Sequence, residues 1–233
     1  GLGVIKADRL ALPGAPPGFR SCRLPEQAAA AALAELERTA VLPPGSRTGE
    51  IANSFYATKA RFGAAEHGVR LPRDRGPSLH NLVDLERLPA CAALMRRAEE
   101  AFGMEQRDVS LLNGLARRYP PGTSLPRHID LPEMFDEPVL SVVLQGVGTD
   151  GLRLCEQGST VVAQAQGAAL RVERGWRVEE APGVAVCLQG EARYGLKHEV
   201  PPVAATRVSL TWRWFRQDYL DELERLWSGA GSP

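Results

Sequence analysis

The chain reads as a mainly β protein with flanking helices, an α+β domain whose core is an antiparallel sandwich or barrel. Three observations predict this. From Val109 to Phe215, apolar and β-branched runs recur at short intervals (SLLNGLARRY, LSVVLQG, LRLC, STVVAQ, ALRVE, VAVCL, RYGLKHEV, TRVSLTWRWF), with Gly, Pro or Asp in the breaks between them. Long runs of helix formers occur after Pro25, after Pro89 and after Gln217, outside that region. Finally, 233 residues with 44% hydrophobic and 24% charged content suit one sizeable domain, taken as residues 1–233.

Charge and cysteine usage exclude little. Lys plus Arg and Asp plus Glu both number 28, so global electrostatics argue neither for nor against a nucleic-acid partner. No apolar run approaches the roughly 20 residues that cross a bilayer, so no membrane partner is expected. The start, GLGVIKADRL, lacks the pattern of a signal peptide and also lacks an initiator Met. Cys22, Cys91, Cys155 and Cys187 are scattered without a C-x-x-C pair. They are expected to be reduced and buried, as in an intracellular protein of the cytoplasm or nucleus.

In chain order, residues 1–20 form a Pro- and Gly-rich lead-in, with one short strand expected at Val4–Leu12. Pro25 suits a first helical turn, and EQAAAAALAELER continues it, Leu33 and Leu36 giving an apolar stripe. Residues 43–80 are punctuated by Pro and Gly, leaving room only for short strands such as NSFYATKARF. Between Arg47 and Arg75, six Lys/Arg stand against three Asp/Glu, with Phe55, Tyr56 and Phe62 interleaved. That composition suits either a solvated connection or a surface for phosphates and stacked bases. His67 and His80 lie here without spaced partners and read as surface residues. Pro89 opens a second helix with Ala90, Leu94, Ala98 and Phe102 on one side and Arg96, Arg97, Glu99 and Glu100 toward water; Gly103 stops it. The β core spans residues 108–215, a last amphipathic helix follows (QDYLDELERLW), and residues 229–233 form a fraying tail.

The chemistry concentrates in RYPPGTSLPRHID. His128 and Asp130, two apart on a strand, point to one side. Alone, His-x-Asp is weak evidence, and a surface turn is the bland alternative. A third ligand candidate, His198, comes near the end of the β region, where a two-sheet jelly roll brings remote strands face to face. Two imidazoles and a carboxylate on one face of a divalent metal form the facial triad of non-haem iron oxygenases. Just beyond, in RVSLTWRWF, Arg207, Ser209, Thr211 and Arg213 alternate with Val208, Leu210, Trp212 and Trp214. One face of this strand belongs to a core. The other carries two guanidiniums, which need anionic partners if buried. A dicarboxylate cosubstrate for one and Asp130 for the other are the natural choices.

His128-x-Asp130, His198, then Arg207 and Arg213 six apart resemble the AlkB family of Fe(II)/2-oxoglutarate dioxygenases. SLLNGLARRYPPGTSLPRHID resembles the family's N-x-Y-x-x-G turn before His-x-Asp, with Tyr119 and Gly122 matching, and GEARYGLKHEV resembles the stretch around its distal histidine. The resemblance covers residues 108–215 and, more weakly, the helix at Pro25 and the loops after it. It implies a double-stranded β-helix of the jelly-roll, cupin-like kind, with Fe(II) on His128, Asp130 and His198. It further implies 2-oxoglutarate held at its far carboxylate by Arg207 with Tyr119, and Arg213 near the iron. Oxygen would convert the cosubstrate to succinate and CO2 while a C–H bond is hydroxylated; on an N-methyl group, formaldehyde leaves. Two positions depart from the pattern. Arg117 stands where the family has Asn, and Pro132 stands where some members place an acid near the target base. The stretch GLRLCEQGSTVVAQAQG suggests an added hairpin.

Three readings result: a monomeric enzyme demethylating N-alkylated bases in single-stranded or flipped-out RNA or DNA, a hydroxylase of a protein side chain or small molecule with the same cofactors, and a cupin-like binding domain without turnover.

Overall fold

The structure, a computed structural model, describes residues 8–10, 12–39, 41–52, 82–83, 85–156, 160–165, 168–172 and 175–230. The strand expected within NSFYATKARF, the aromatic part of the basic loop, His67 and His80 lie outside the described residues. In order the elements are β1 (Asp8–Leu10), β2 (Phe19–Arg23), α1 (Glu26–Arg38), β3 (Thr48–Ala52), β4 (Leu82–Val83), α2 (Pro89–Ala101), β5 (Leu112–Tyr119), β6 (Leu125–His128) and β7 (Phe135–Gln145). They continue with β8 (Arg153–Glu156), β9 (Thr160–Ala165), β10 (Ala168–Val172), β11 (Gly175–Arg177), β12 (Val184–Leu188), β13 (Leu196–Val200), β14 (Arg207–Phe215) and α3 (Gln217–Ala230).

Two sheets make the core. The larger runs β1-β2-β12-β7-β14-β5-β3-β4 and the smaller β11-β8-β13-β6, while β9 and β10 pair as a separate hairpin, later in the chain than GLRLCEQGSTVVAQAQG suggests because β8 pairs with β11 and β13 instead. Among the described residues every pairing is antiparallel except β3 with β4. This is the expected jelly-roll core. Alternation along the strands builds it. On β12, Ala185 and Cys187 point to the helices while Val186 and Leu188 point between the sheets. On β14, Val208, Leu210, Trp212 and Trp214 join the helix-side core, as the period-two pattern requires. The inter-sheet core holds Val139, Leu154, Val186, Leu188, Leu196 and Val200.

The two first helices lie on the helix-side core, but their buried faces differ from the simple stripes. In α1 the buried positions are Ala29, Ala32, Glu35 and Leu36, with Leu33 only half-buried. Pro25 is the residue before the helix, not part of its first turn. Glu35 is buried because it has a partner: its carboxylate accepts from the backbone N–H of Ala90 (3.1 Å) and Cys91 (2.8 Å). These are first-turn donors of α2 with no carbonyl of their own to meet, and the helix dipole favours an anion there. In α2, Cys91, Leu94, Met95 and Ala98 are buried, whereas Ala90 is half-buried. Glu99, expected in water, is half-buried and accepts from Trp212 Nε1 at 2.9 Å. α3 continues to Ala230, taking in two residues of the expected tail. Of the lead-in strand, Asp8–Leu10 is present among the described residues. All four cysteines are free and buried. No helix among the described residues is long and apolar enough to cross a membrane.

Candidate metal centre

His128 and His198 meet because their strands pair. β6 and β13 run antiparallel with His128 directly opposite His198, a spacing that stacks two side chains on the same face. Their ring centroids are 4.2 Å apart. Beyond this pair the register shifts: Val200 faces Leu125, so β6 spends three residues where β13 spends two. Such a bulge lets Leu125 and His128 both face the interior despite their odd spacing.

Asp130 reaches the same spot by another route than strand alternation. β6 ends at His128, and Asp130 lies two residues past it in irregular chain. Two arginines hold it. Arg213 Nη1 donates to Asp130 Oδ1 at 2.8 Å, and Arg193 Nη1 donates to the Asp130 carbonyl at 2.8 Å. Arg193 is fully buried in the short wide helical turn Glu191–Gly195 that leads into β13. The expected strand RYGLKHEV therefore begins only at Leu196. Arg193 carries a positioning task that no periodicity announces.

The three ligand atoms lie within 4.8 Å of one another, with His128 Nε2 at 3.7 Å from Asp130 Oδ1. His128 Nδ1 sits 2.8 Å from the Pro126 carbonyl. That contact places its proton on Nδ1 and leaves the Nε2 lone pair facing the cluster. Burial pushes His198 down to about 4, partly offset by Asp130, so its imidazole is neutral near pH 7. Burial also pushes the Asp130 carboxyl upward. The Arg213 guanidinium, 2.8 Å away, outweighs that and holds it well below the usual carboxylate range. The cluster thus presents the neutral His198 imidazole, the Nε2 atom of His128 and one carboxylate.

A divalent cation fits this set. Asp130 Oδ2 and His198 Nδ1 are buried without a hydrogen-bond partner, a costly arrangement for the bare protein. Two nitrogens and one oxygen on one side suit a metal that keeps positions open for other ligands. His128 is the most exposed of the three, at 35% of its side chain against 8% for Asp130. The rim of the site therefore lies at His128.

The cluster closes one end of an inter-sheet cavity of about 180 Å³. The polar face of β14 lines it throughout, with Arg207, Ser209, Thr211 and Arg213 all present, and Tyr119 and Arg117 join from β5. Asn113, opposite Arg213 in the strand register, is buried with both amide atoms unpartnered. Far from the metal cluster the arrangement differs from what the sequence suggests. Arg207 is buried at 3% exposure, and its partner is Glu180, buried at 2%. Its Nη2 and Nε donate to Glu180 Oε2 at 2.6 and 3.2 Å, and its Nη1 donates to Ser209 Oγ at 3.0 Å. The same carboxylate oxygen accepts from Leu152 N–H at 3.1 Å. Sequence reasoning missed Glu180, which lies in irregular chain between β11 and β12 with no pattern to mark it.

No protein-family profile matches the sequence, and no curated protein matches it. Among solved structures, a prolyl-4-hydroxylase from Pseudomonas putida is similar with a TM-score of 0.45 and 20% identity, over 85% of this chain and 93% of that one.

Proposed function

We propose that the protein is an Fe(II)- and 2-oxoglutarate-dependent dioxygenase. The observation that carries this is one cavity bearing a facial His128–Asp130–His198 set, two of whose residues have buried unpartnered atoms, at one end and arginines along its length. His128, Asp130 and His198 would hold the iron. When bound, iron with 2-oxoglutarate and O2 supplies the oxidation of a C–H bond, leaving succinate and CO2. The protein's own groups do the rest. Arg213 fixes the Asp130 carboxylate, and Arg193 fixes its backbone. His128's bond to Pro126 sets its tautomer. Leu125, Val139, Val186 and Leu188 line the cavity with hydrocarbon and keep water from the reacting centre. Arg117, Tyr119 and Arg207 line the polar part of the cavity away from the metal ligands, toward which a second carboxylate would lie.

Within this class the favoured substrate is an N-alkylated base in RNA or DNA, left demethylated in its strand while formaldehyde is released. The resemblance of Tyr119–Gly122, His128-x-Asp130 and the Arg207–Arg213 strand to AlkB-type enzymes supports it, as does the basic, aromatic composition between Arg47 and Arg75. The second reading is a hydroxylase of a protein side chain or small molecule, favoured by the even global charge and by Pro132. Turnover with methylated single-stranded oligonucleotides tests this. Formaldehyde in step with succinate, with salt-sensitive binding, supports the first reading. Succinate formation without oligonucleotide dependence favours the second.

A further inference from the structure

Three arginines line the cavity, and two of them already have carboxylates. Arg213 is held by Asp130 at 2.8 Å. Arg207 is held by Glu180 at 2.6 Å, and Ser209 takes a donor from its other terminal nitrogen. A cosubstrate carboxylate placed on Arg207 would share that guanidinium with Glu180 in a dry site, bringing two like charges together. Arg117 is the remaining cation. It has neither an ion pair nor a hydrogen bond among the described residues. Its guanidinium carbon lies 6.0 Å from the Tyr119 ring centroid, whose other cationic neighbour is Arg207 at 5.2 Å. Its sequence neighbour shows the contrast. Arg118, pointing the other way on β5, is consumed by the carbonyls of Pro43 and Ser46 and by Glu37.

The register gives Arg117 its place along the cavity. It lies opposite Ser209, one step inside the Tyr119–Arg207 pair, whereas Asn113 lies opposite Arg213 at the metal end. Four residues of strand separate the two levels, about 13 Å of backbone. A five-carbon diacid chelated beside Asp130 and running along β14 therefore brings its second carboxylate toward Arg117 and Tyr119. We propose that Arg117 is the receptor for the far carboxylate of the dicarboxylate cosubstrate. Arg207 is then a positioning residue, neutralised by Glu180, that fixes Tyr119 and the end wall. This assignment rests on the dioxygenase reading above.

The test compares two keto acids on the Fe(II)-loaded protein without oxygen: 2-oxoglutarate, and 2-oxobutyrate, which lacks the far carboxylate. Dissociation constants are measured by calorimetry, so no turnover is needed. The wild type is expected to prefer 2-oxoglutarate by tenfold or more. Arg117→Gln is expected to lose roughly 10- to 100-fold for 2-oxoglutarate and little for 2-oxobutyrate, erasing the preference. A thermal melt checks its fold, and Arg117→Met, which keeps the aliphatic stem, replaces it if it fails. A folded variant that keeps the wild-type preference overturns the role of Arg117 while leaving the dioxygenase reading intact. A wild type that binds neither keto acid overturns both.

Discussion

The two ends of the cavity are built on opposite principles. At the metal end, Asp130 Oδ2 and His198 Nδ1 are buried and unmet, and His128 is only partly covered. At the far end, Arg207 and Glu180 are both almost wholly buried and satisfy each other, with Ser209 Oγ accepting from Arg207 and the Leu152 N–H donating to Glu180. Orphaned buried polar atoms cost stability unless a ligand meets them, whereas a matched internal pair has its desolvation offset by its own attraction and is costly only to break. The difference therefore separates a place prepared for a ligand from a place that is scaffold. It also shows why a buried arginine is a poor guide to a ligand until its partner is known.

Substitutions at the two ends should fail in different ways. The largest effect is expected from Asp130→Ala or His128→Ala, which should reduce iron-dependent succinate formation to background while circular dichroism stays unchanged. Arg207→Ala should instead unfold the protein more readily, by about 3–5 kcal/mol, because Glu180 would be left buried without a counter-charge. Denaturant melts measure this, and replacing Glu180 with Leu in the same chain should restore part of the loss. If Arg207→Ala is as stable as wild type, the far end is not the scaffold described.

Acid should act on the metal end of the metal-free protein. His198 has its ordinary value of 6.5 when unfolded and about 4 when folded. The unfolded chain thus binds more protons between those values, and stability falls as pH drops through that window, by up to roughly 3 kcal/mol. Asp130, held low, adds its own loss only below its ordinary value of 3.8. Melts of wild type and His198→Gln from pH 7 to 4.5 check this; equal slopes would contradict it. The smallest effect is expected from Arg213→Gln. It leaves all three ligands in place but releases Asp130, so Fe(II) affinity should fall about 10- to 100-fold. A competition titration with a metal indicator reads it.

Much of the fold was legible because its signals are periodic. The alternation in RVSLTWRWF assigns each β14 residue to the correct face, and the alanine-rich and Pro89-led segments are helices as read. The grouping of His128, Asp130 and His198 was legible as residue types in a suggestive order. Its geometric cause was not. Asp130 is aimed by Arg213 and Arg193, and the two histidines by a strand pairing with a bulge, both non-local facts. Glu180, Arg193 and Glu35 went unseen for one reason. Each is a charged residue buried against a partner 27 or more positions away, and no local pattern announces such a partner.

The central claim is that one cavity binds iron and a keto-diacid together. Anaerobic titration of the protein with Fe(II) and 2-oxoglutarate tests it directly by visible absorption. A metal-to-ligand charge-transfer band that saturates at one equivalent of each, and is absent in Asp130→Ala, is the expected result. No band at saturating concentrations of both, or the same band in the variant, would contradict the account.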